Sequence, residues 1–380
     1  MQDIEILLEK QKKLINCLIL SGKDDYKYKA DVNLSPIGWH LLHCLYVECI
    51  WIRELFLNDN NLKKELEKTA DGINIPTIKR GNNLPEFKTL LKLCSKEFNN
   101  NINFVKDIQD KRISNKRATI KYIVKFLINH HCQHLETIKI ILNLKNLYYP
   151  KFADEKLKVI TPENYKFKSV FFKSDTYYLG TDNKFFSFDN EQPRHKTFIK
   201  NFSISKKLIT IAEWLGFICD NGYNRKELWS LRGWSWKNKN NITKPLNWYM
   251  SDNKLSLCSP DGYIQPKKNK PVTNISFFEL QAFAVWKKLK VPHEFEWEIS
   301  YKKFIDKNLV WEWCSNFFFP YKNFSPFPYS DYSVPWFNKE YYTMKGSSVY
   351  SEKEIKRATF RNFYQPNNRY IFSGGRLSNK

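Results

Sequence analysis

Apolar residues in the first third of the chain recur with the period of a helix. Ile4, Leu7, Leu8, Leu14, Ile15 and Leu18 fall at helical spacing before Gly22, a residue suited to end the run. A second periodic stretch passes through Trp39, Leu42, Tyr46, Ile50 and Leu55, and Ser35 followed by Pro36 predicts its N-cap and first turn. Two more helices are expected over roughly 86 to 110 and 115 to 145. Four helices joined by polar connections predict an all-α four-helix bundle over residues 1–150. Bundles of this kind commonly build metal sites from facing helices.

From about residue 165 the pattern changes. Aromatic residues, glycines and prolines become dense and strands become short and irregular. Two helical stretches, about 210 to 222 and 275 to 289, interrupt them. The boundary falls near YYPKFADEKLKVITPENY, which sets a second domain at 165–380. No repeat of fixed period is visible.

Composition narrows the classes. A chain of 380 residues with 42% hydrophobic and 16% aromatic content suits two globular domains with separate cores. Its apolar runs are broken by lysine, asparagine or histidine well before they reach a membrane span, and MQDIEILLEKQKK carries acidic residues where a secretory leader would be basic. A soluble cytoplasmic protein with no membrane partner is therefore expected. Eight cysteines without a C-x-x-C pair give neither a disulfide framework nor a zinc ribbon, and are expected to be free thiols. The net charge of +23 would suit nucleic acid, yet lysine is spread evenly among asparagines and no arginine-rich stripe appears. Nucleic acid is not expected as the main partner.

The histidines are not spread evenly. Five of the seven lie in SPIGWHLLH and HHCQH. His130 and His134 are one helical turn apart on one face, and His43 on a neighbouring helix can add a third nitrogen to the same cation. A His-x-x-x-His pair alone is more often structural than ligating, so the third histidine is what shifts the balance. His40 and His131 fall off this stripe and are read as structural or as supports for the ligands. Cys44, Cys49 and Cys132, in the same helices, are read as packing residues.

Three blocks of the second half, FICDNGYNRKELWSLRGWSW, VPHEFEWE and LVWEWCSN, resemble the formylglycine-generating-enzyme fold. That resemblance implies an α+β, C-type-lectin-like domain with little regular secondary structure. The cysteine pair on which formylglycine generation depends is not found here. Joined to a DinB-like four-helix bundle, the domain is similar to the ergothioneine-biosynthesis sulfoxide synthase family over nearly the whole chain. The family's serine-proline helix start and ligand histidine match Ser35, Pro36 and His43, and its His-x-x-Gln-His segment matches His130, Gln133 and His134. The resemblance implies a non-haem Fe(II) held by His43, His130 and His134, and an enzyme that uses O2 to join a thiol to the imidazole carbon of histidine betaine.

Further matches imply further roles. FPYSDYS places Tyr329 as a catalytic proton donor and Tyr332 as a substrate contact. RNFYQP places Asn362 at the contact to the trimethylammonium substrate, with Phe363 and Tyr364 beside it. Gln133 and, more loosely, Arg80 join the substrate contacts, Lys79 being the other candidate near that position. IFSGGRL resembles the usual end of the domain, while the usual RGGSW is degraded to KGSSV, a change expected to alter packing rather than chemistry. Tyr364 stands where family members that use γ-glutamylcysteine carry an aspartate, which points to cysteine or a close relative as the thiol. Trp311, Trp313, Trp336 and Phe363 could line a pocket for the cationic group, although packing is the commoner use of such aromatics. An ovothiol-type or selenium-transferring synthase, or a lectin-like binding module whose histidines hold zinc or merely pack, stay open as alternatives. The oligomeric state is not set by the sequence.

Overall fold

A computed structural model describes residues 2–150, 152–182 and 186–379. The first periodic stretch forms α1 (Gln2–Asp25), which buries Ile4, Leu7, Leu14 and Leu18. Each such side chain contributes about 1.5–3 kcal/mol when it leaves water. Gly22 interrupts the helix as its position suggests. It takes φ 70° inside the run and kinks it, a conformation that costs a residue without Cβ little.

α2 (Ile37–Glu48) starts one residue later than Ser35-Pro36 predicts. Pro36 occupies the N-cap position with no side-chain cap, and Ser35 is buried. The Gly38 amide, one of the donors a cap would serve, instead reaches the Tyr26 carbonyl at 2.9 Å. The helix runs on through a π-helical turn at Cys49–Glu54 into α3 (Leu55–Leu57). α4 (Asn61–Ala70), which the periodicity did not show, precedes α5 (Phe87–Asp110) and α6 (Ile120–Tyr148). α1 packs on α2 and α5, and α2 also packs on α4 and α5.

The chain divides into two compact units, Met1–Lys145 with Tyr350–Ile355, and Asn146–Val349 with Lys356–Lys380. The short segment in the helical unit is held by charge. Lys10, 1% exposed, meets Glu352 at 2.7 Å and Glu354 at 3.0 Å, and Ser351 Oγ donates to Glu136 at 2.6 Å. A buried ammonium keeps its charge only with such partners, which explains why six residues distant in sequence stay against α1 and α6.

The second unit carries short strands and short helices. β1 (Lys158–Val159), β7 (Lys254–Ser259), β6 (Trp248–Ser251) and β8 (Gly262–Ile264) make one antiparallel sheet. A second runs β11 (Asn362–Tyr364), β10 (Tyr342–Gly346), β9 (Trp311–Phe317) and β12 (Ser373–Gly374), with only the last pair parallel. β2 (Ser169–Phe172) pairs with β5 (Phe202–Ser205), and β3 (Asp175–Leu179) with β4 (His195–Ile199). The helices are α7 (Ile211–Cys219), α8 (Leu231–Lys239), α9 (Phe277–Trp286) and α10 (Glu294–Ser300). Thr210 and Ser276 cap α7 and α9 through capping boxes with Glu213 and Glu279.

Buried ion pairs tie the motif blocks of this unit together. Arg361 and Glu294, both fully buried, form a two-pronged pair at 2.8 Å, which joins RNFYQP to VPHEFEWE. Arg376 and Glu312 do the same at 2.6 and 2.9 Å, joining IFSGGRL to LVWEWCSN. Lys345, at the head of KGSSV, meets Glu298 at 2.8 Å. Trp311 and Trp313 lie in the core, Trp313 donating from Nε1 to the Ile275 carbonyl at 2.9 Å, so their role is packing. None of the eight cysteines, all of them among the described residues, is in a disulfide.

Candidate metal centre

Within the helical unit α2 and α6 bring His43, His130 and His134 together. One donor nitrogen from each lies within 4.8 Å of the others. His130 and His134 sit one turn apart on α6, and their Nε2 atoms are 3.1 Å apart. Two nitrogens about 2.1 Å from a shared ion at an angle slightly over a right angle have this separation.

The tautomers follow from the remaining nitrogens. His43 Nδ1 lies 2.7 Å from the Ala70 carbonyl, which can only accept, so Nδ1 carries the proton and Nε2 keeps its lone pair. His134 Nδ1 lies 2.8 Å from His40 Nδ1, and His130 Nδ1 lies 3.5 Å from His131 Nδ1. When these two Nδ1 atoms donate, all three rings present Nε2 as the free donor. Partners of this kind are what metal-bound histidines ordinarily have. The residues present therefore fit a metal ion.

Electrostatics favours neutral rings. Burial, with the fixed charge of Arg80 adding to it, pushes His43 down to about 4 and His40 to about 3. His130 and His134 are likewise pushed well below the ordinary histidine range, first by burial and then by the neighbouring rings. Neutral imidazoles are the ligating form, so the site is ready for a cation at neutral pH.

The loop after α4 shapes the His43 side. Trp39 stacks on His43 at 4.6 Å and 10°, and donates from Nε1 to the Thr69 carbonyl at 2.9 Å. A Cβ at Gly72 would lie 2.8 Å from His43 Cε1, so only glycine allows this approach. The Arg80 guanidinium is 4.7 Å from the Trp39 ring centre, and bonds the carbonyls of Ile75 at 2.9 Å and Gly72 at 2.5 Å. These bonds fix the loop and leave part of the guanidinium for other use. Gln133 is half-buried beside the ligands, its amide 3.4 Å from the Asn129 carbonyl.

Sequence reasoning missed Glu48, Gln11 and Asn101, which lie fully buried behind His131. The signal was a single carboxylate inside the apolar run HLLHCLYVECIWI. An unpaired charge has no place there, so a buried polar partner was implied.

The other expected site residues lie in the second unit. Tyr329 is half-buried on a loop beside Asp189, and burial pushes its phenol well above the usual range. Asp189 accepts from Ser333 Oγ at 2.5 Å and from the Phe327 amide at 3.4 Å, which pins both ends of the Tyr329 loop. Tyr332 stacks on Phe188 at 4.2 Å. On β11, Asn362 Oδ1 accepts from the Phe363 amide at 2.9 Å, Phe363 stacks on Phe318 at 4.3 Å with Trp336 at 5.6 Å, and Tyr364 lies against Tyr370 at 6.5 Å.

A helical domain with a three-histidine cluster, followed by a domain of short strands and short helices pinned by buried arginine–carboxylate pairs, defines a two-domain class. Residues 12–138 match the DinB superfamily, and residues 161–303 match the sulfatase-modifying factor enzyme 1-like domain. The hercynine oxygenase of Mycobacterium tuberculosis is 28% identical over 306 residues, covering 68% of this chain and 71% of that protein. The hercynine oxygenase of Mycolicibacterium smegmatis is also 28% identical over 306 residues, covering 66% and 70%. Ergothioneine biosynthesis protein 1 of Schizosaccharomyces pombe is 25% identical over 235 residues, covering 52% of this chain and 28% of that protein. The chain is a homologue of the hercynine oxygenases, which are oxidoreductases. Among the described residues no helix is long and apolar enough to cross a membrane.

Proposed function

We propose that this protein is a non-haem iron(II)- and O2-dependent sulfoxide synthase, joining cysteine or a close relative to the imidazole carbon of histidine betaine. The convergence of His43, His130 and His134, in a homologue of the hercynine oxygenases, is the observation that carries the proposal. The reaction balances when one C–H and one S–H bond give way to a C–S bond, one oxygen atom of O2 ends on sulfur and the other in water.

The three histidines would hold the iron through Nε2. Bound there, iron would supply redox chemistry with O2 and a Lewis acid that lowers a thiol pKa. The protein's own contribution starts with tautomer control. The Ala70 carbonyl keeps Nδ1 of His43 protonated, and His40 and His131 stand beside Nδ1 of His134 and His130, where accepting a proton from each leaves Nε2 as the donor. Arg80 adds a fixed positive charge that disfavours protonation of His43 and suits a substrate carboxylate.

Tyr329 is the proton donor. A half-buried phenol raised above its usual range stays neutral at working pH, and so keeps a proton to give. Gln133, Tyr332, Asn362, Phe363 and Tyr364 contact the substrates, and the half-buried rings of Phe363 and Trp336 suit a trimethylammonium group. A tyrosine in place of the aspartate expected for a glutamylated thiol favours cysteine. Acting on small polar metabolites, the enzyme is assigned to the cytoplasm.

The test is turnover by protein loaded anaerobically with ferrous iron and then given histidine betaine, cysteine and O2. Oxygen uptake that requires both substrates, with a product of the mass of their sulfoxide adduct, is the expected result. Iron-loaded protein that makes no adduct would contradict the proposal, and faster turnover of unmethylated histidine would move it to an ovothiol-type synthase.

A further inference from the structure

We infer that His131 and Glu48 are a positioning pair for His130, a buried chain that fixes which nitrogen of His130 faces the metal. The inference rests on the three histidines being a metal centre.

Begin at the carboxylate. Glu48 is fully buried and accepts from Gln11 Nε2 at 2.8 and 3.0 Å, from Asn101 Nδ2 at 2.8 Å and from His131 Nε2 at 2.8 Å. The orientation of Asn101 is not free, because its Oδ1 accepts from Arg53 Nε at 2.6 Å, and Arg53 in turn meets Glu97 at 2.7 Å. Its Nδ2 must therefore point at Glu48. The carboxylate accepts, so a His131 ring with one proton carries it on Nε2 and has its lone pair on Nδ1.

That lone pair faces His130 Nδ1 at 3.5 Å, long for a hydrogen bond but one-way in sense. His130 is then protonated on Nδ1 and presents Nε2, the atom 3.1 Å from His134 Nε2. α1, α2, α5 and α6 each contribute one side chain to this arrangement, through Gln11, Glu48, Asn101 and His131. His43 is supported by a backbone carbonyl and His134 by His40, whereas His130 is linked through a second imidazole to an anion. A carboxylate behind a ligand ring raises the basicity of the donor nitrogen. Neither residue touches the metal, so both act through His130.

A different use of the same atoms is possible chemistry, and the experiment separates the two. Cys44, His130 and His131 also bring three donor atoms within 4.8 Å. Were they a second metal site, His131 Nδ1 would be a ligand and not an acceptor.

Anaerobic Co(II) titration, read by its visible absorption, is done on the wild type and on His131→Leu, His131→Asn and Glu48→Gln, with circular dichroism to compare helical content. The wild type takes up one equivalent. H131L binds about 10–100-fold more weakly with a changed Co(II) spectrum. H131N, which keeps an acceptor near the Nδ1 position, recovers most of that affinity, and E48Q falls between them. A purely structural role would lower the stability of H131L and H131N without separating their affinities. Equal affinity in H131L and the wild type overturns the inference, as does equal loss in H131L and H131N, or a second equivalent of metal that Cys44→Ser abolishes. If H131L does not fold, wild-type affinity and spectrum in E48Q overturn it instead. Wild-type protein that binds no Co(II) overturns the metal centre itself, a result distinguishable from failure of the positioning pair alone.

Discussion

His130 Nε2 and His134 Nε2 face each other at 3.1 Å across one turn of α6. Two lone pairs at that separation repel, so the contact is stable only with a proton or a cation between them. The helix fixes the spacing, and the Nδ1 partners decide which nitrogens meet. Much of the ordering entropy of a metal site is thus met by folding the bundle, before any ion arrives.

Gly72 is the first point of leverage. Gly72→Ala puts a methyl group 2.8 Å from His43 Cε1, and either the loop or the ring must move. Metal affinity is expected to fall about tenfold, as for other losses of ligand orientation. Isothermal titration checks this, and unchanged affinity would show that the loop yields instead of His43.

Tyr329→Phe separates chemistry from binding. The ring and its packing are kept while the proton donor is removed. Turnover is expected to drop by about 10²–10⁴, the range for loss of a general acid, with metal affinity unchanged. A variant with wild-type turnover would remove Tyr329 from the mechanism.

Acid should loosen the metal-free helical unit. His43 and His40, held by burial at about 4 and about 3, are neutral when folded and take up protons near 6.5 when unfolded. Their contribution is fully present above pH 6.5 and is lost as pH falls toward these values. Asp189 in the second unit has the opposite sign. Burial raises it from 3.8 to about 6, so the folded state loses stability as pH climbs between those values. Hydrogen exchange followed by mass spectrometry should show α2 and α6 peptides losing protection on acidification. Protection that stays flat from neutral pH down to about 4.5 would refute the assignment of neutral buried rings.

Arg361 tests the frame behind Asn362. Arg361→Leu leaves Glu294 buried without its cation, although Asn316 Nδ2 still donates to it at 2.9 Å. Breaking a buried pair on one side costs about 3–5 kcal/mol. A urea midpoint close to wild type would mean that the pair is dispensable.

The parts of this structure legible in the sequence are those with local causes. Helical periodicity announced α1, α2, α5 and α6, and the i, i+4 spacing of His130 and His134 put both on one face. The N-cap at Ser35 failed because the donor it would have served is satisfied by Tyr26, a tertiary contact. The break at Gly22 was legible because a residue without Cβ takes the non-helical φ of 70° at little cost. α4, α8 and α10 went unseen, the first because LKKELEKTA is mostly polar and buries only Leu66 and Ala70. Nothing local in SEKEI shows that Glu352 and Glu354 would meet Lys10. The motif blocks of the second half were visible as motifs, but the reason for several of them, arginine paired with carboxylate across the core, appears only in three dimensions.

The central claim is that three imidazoles hold one ion. Anaerobic titration with Fe(II) of the wild type and of His43→Ala, His130→Ala and His134→Ala measures it directly. One equivalent bound by the wild type, and loss of that binding in each single variant, is the predicted result. Stoichiometric binding that survives removal of His43 would contradict it.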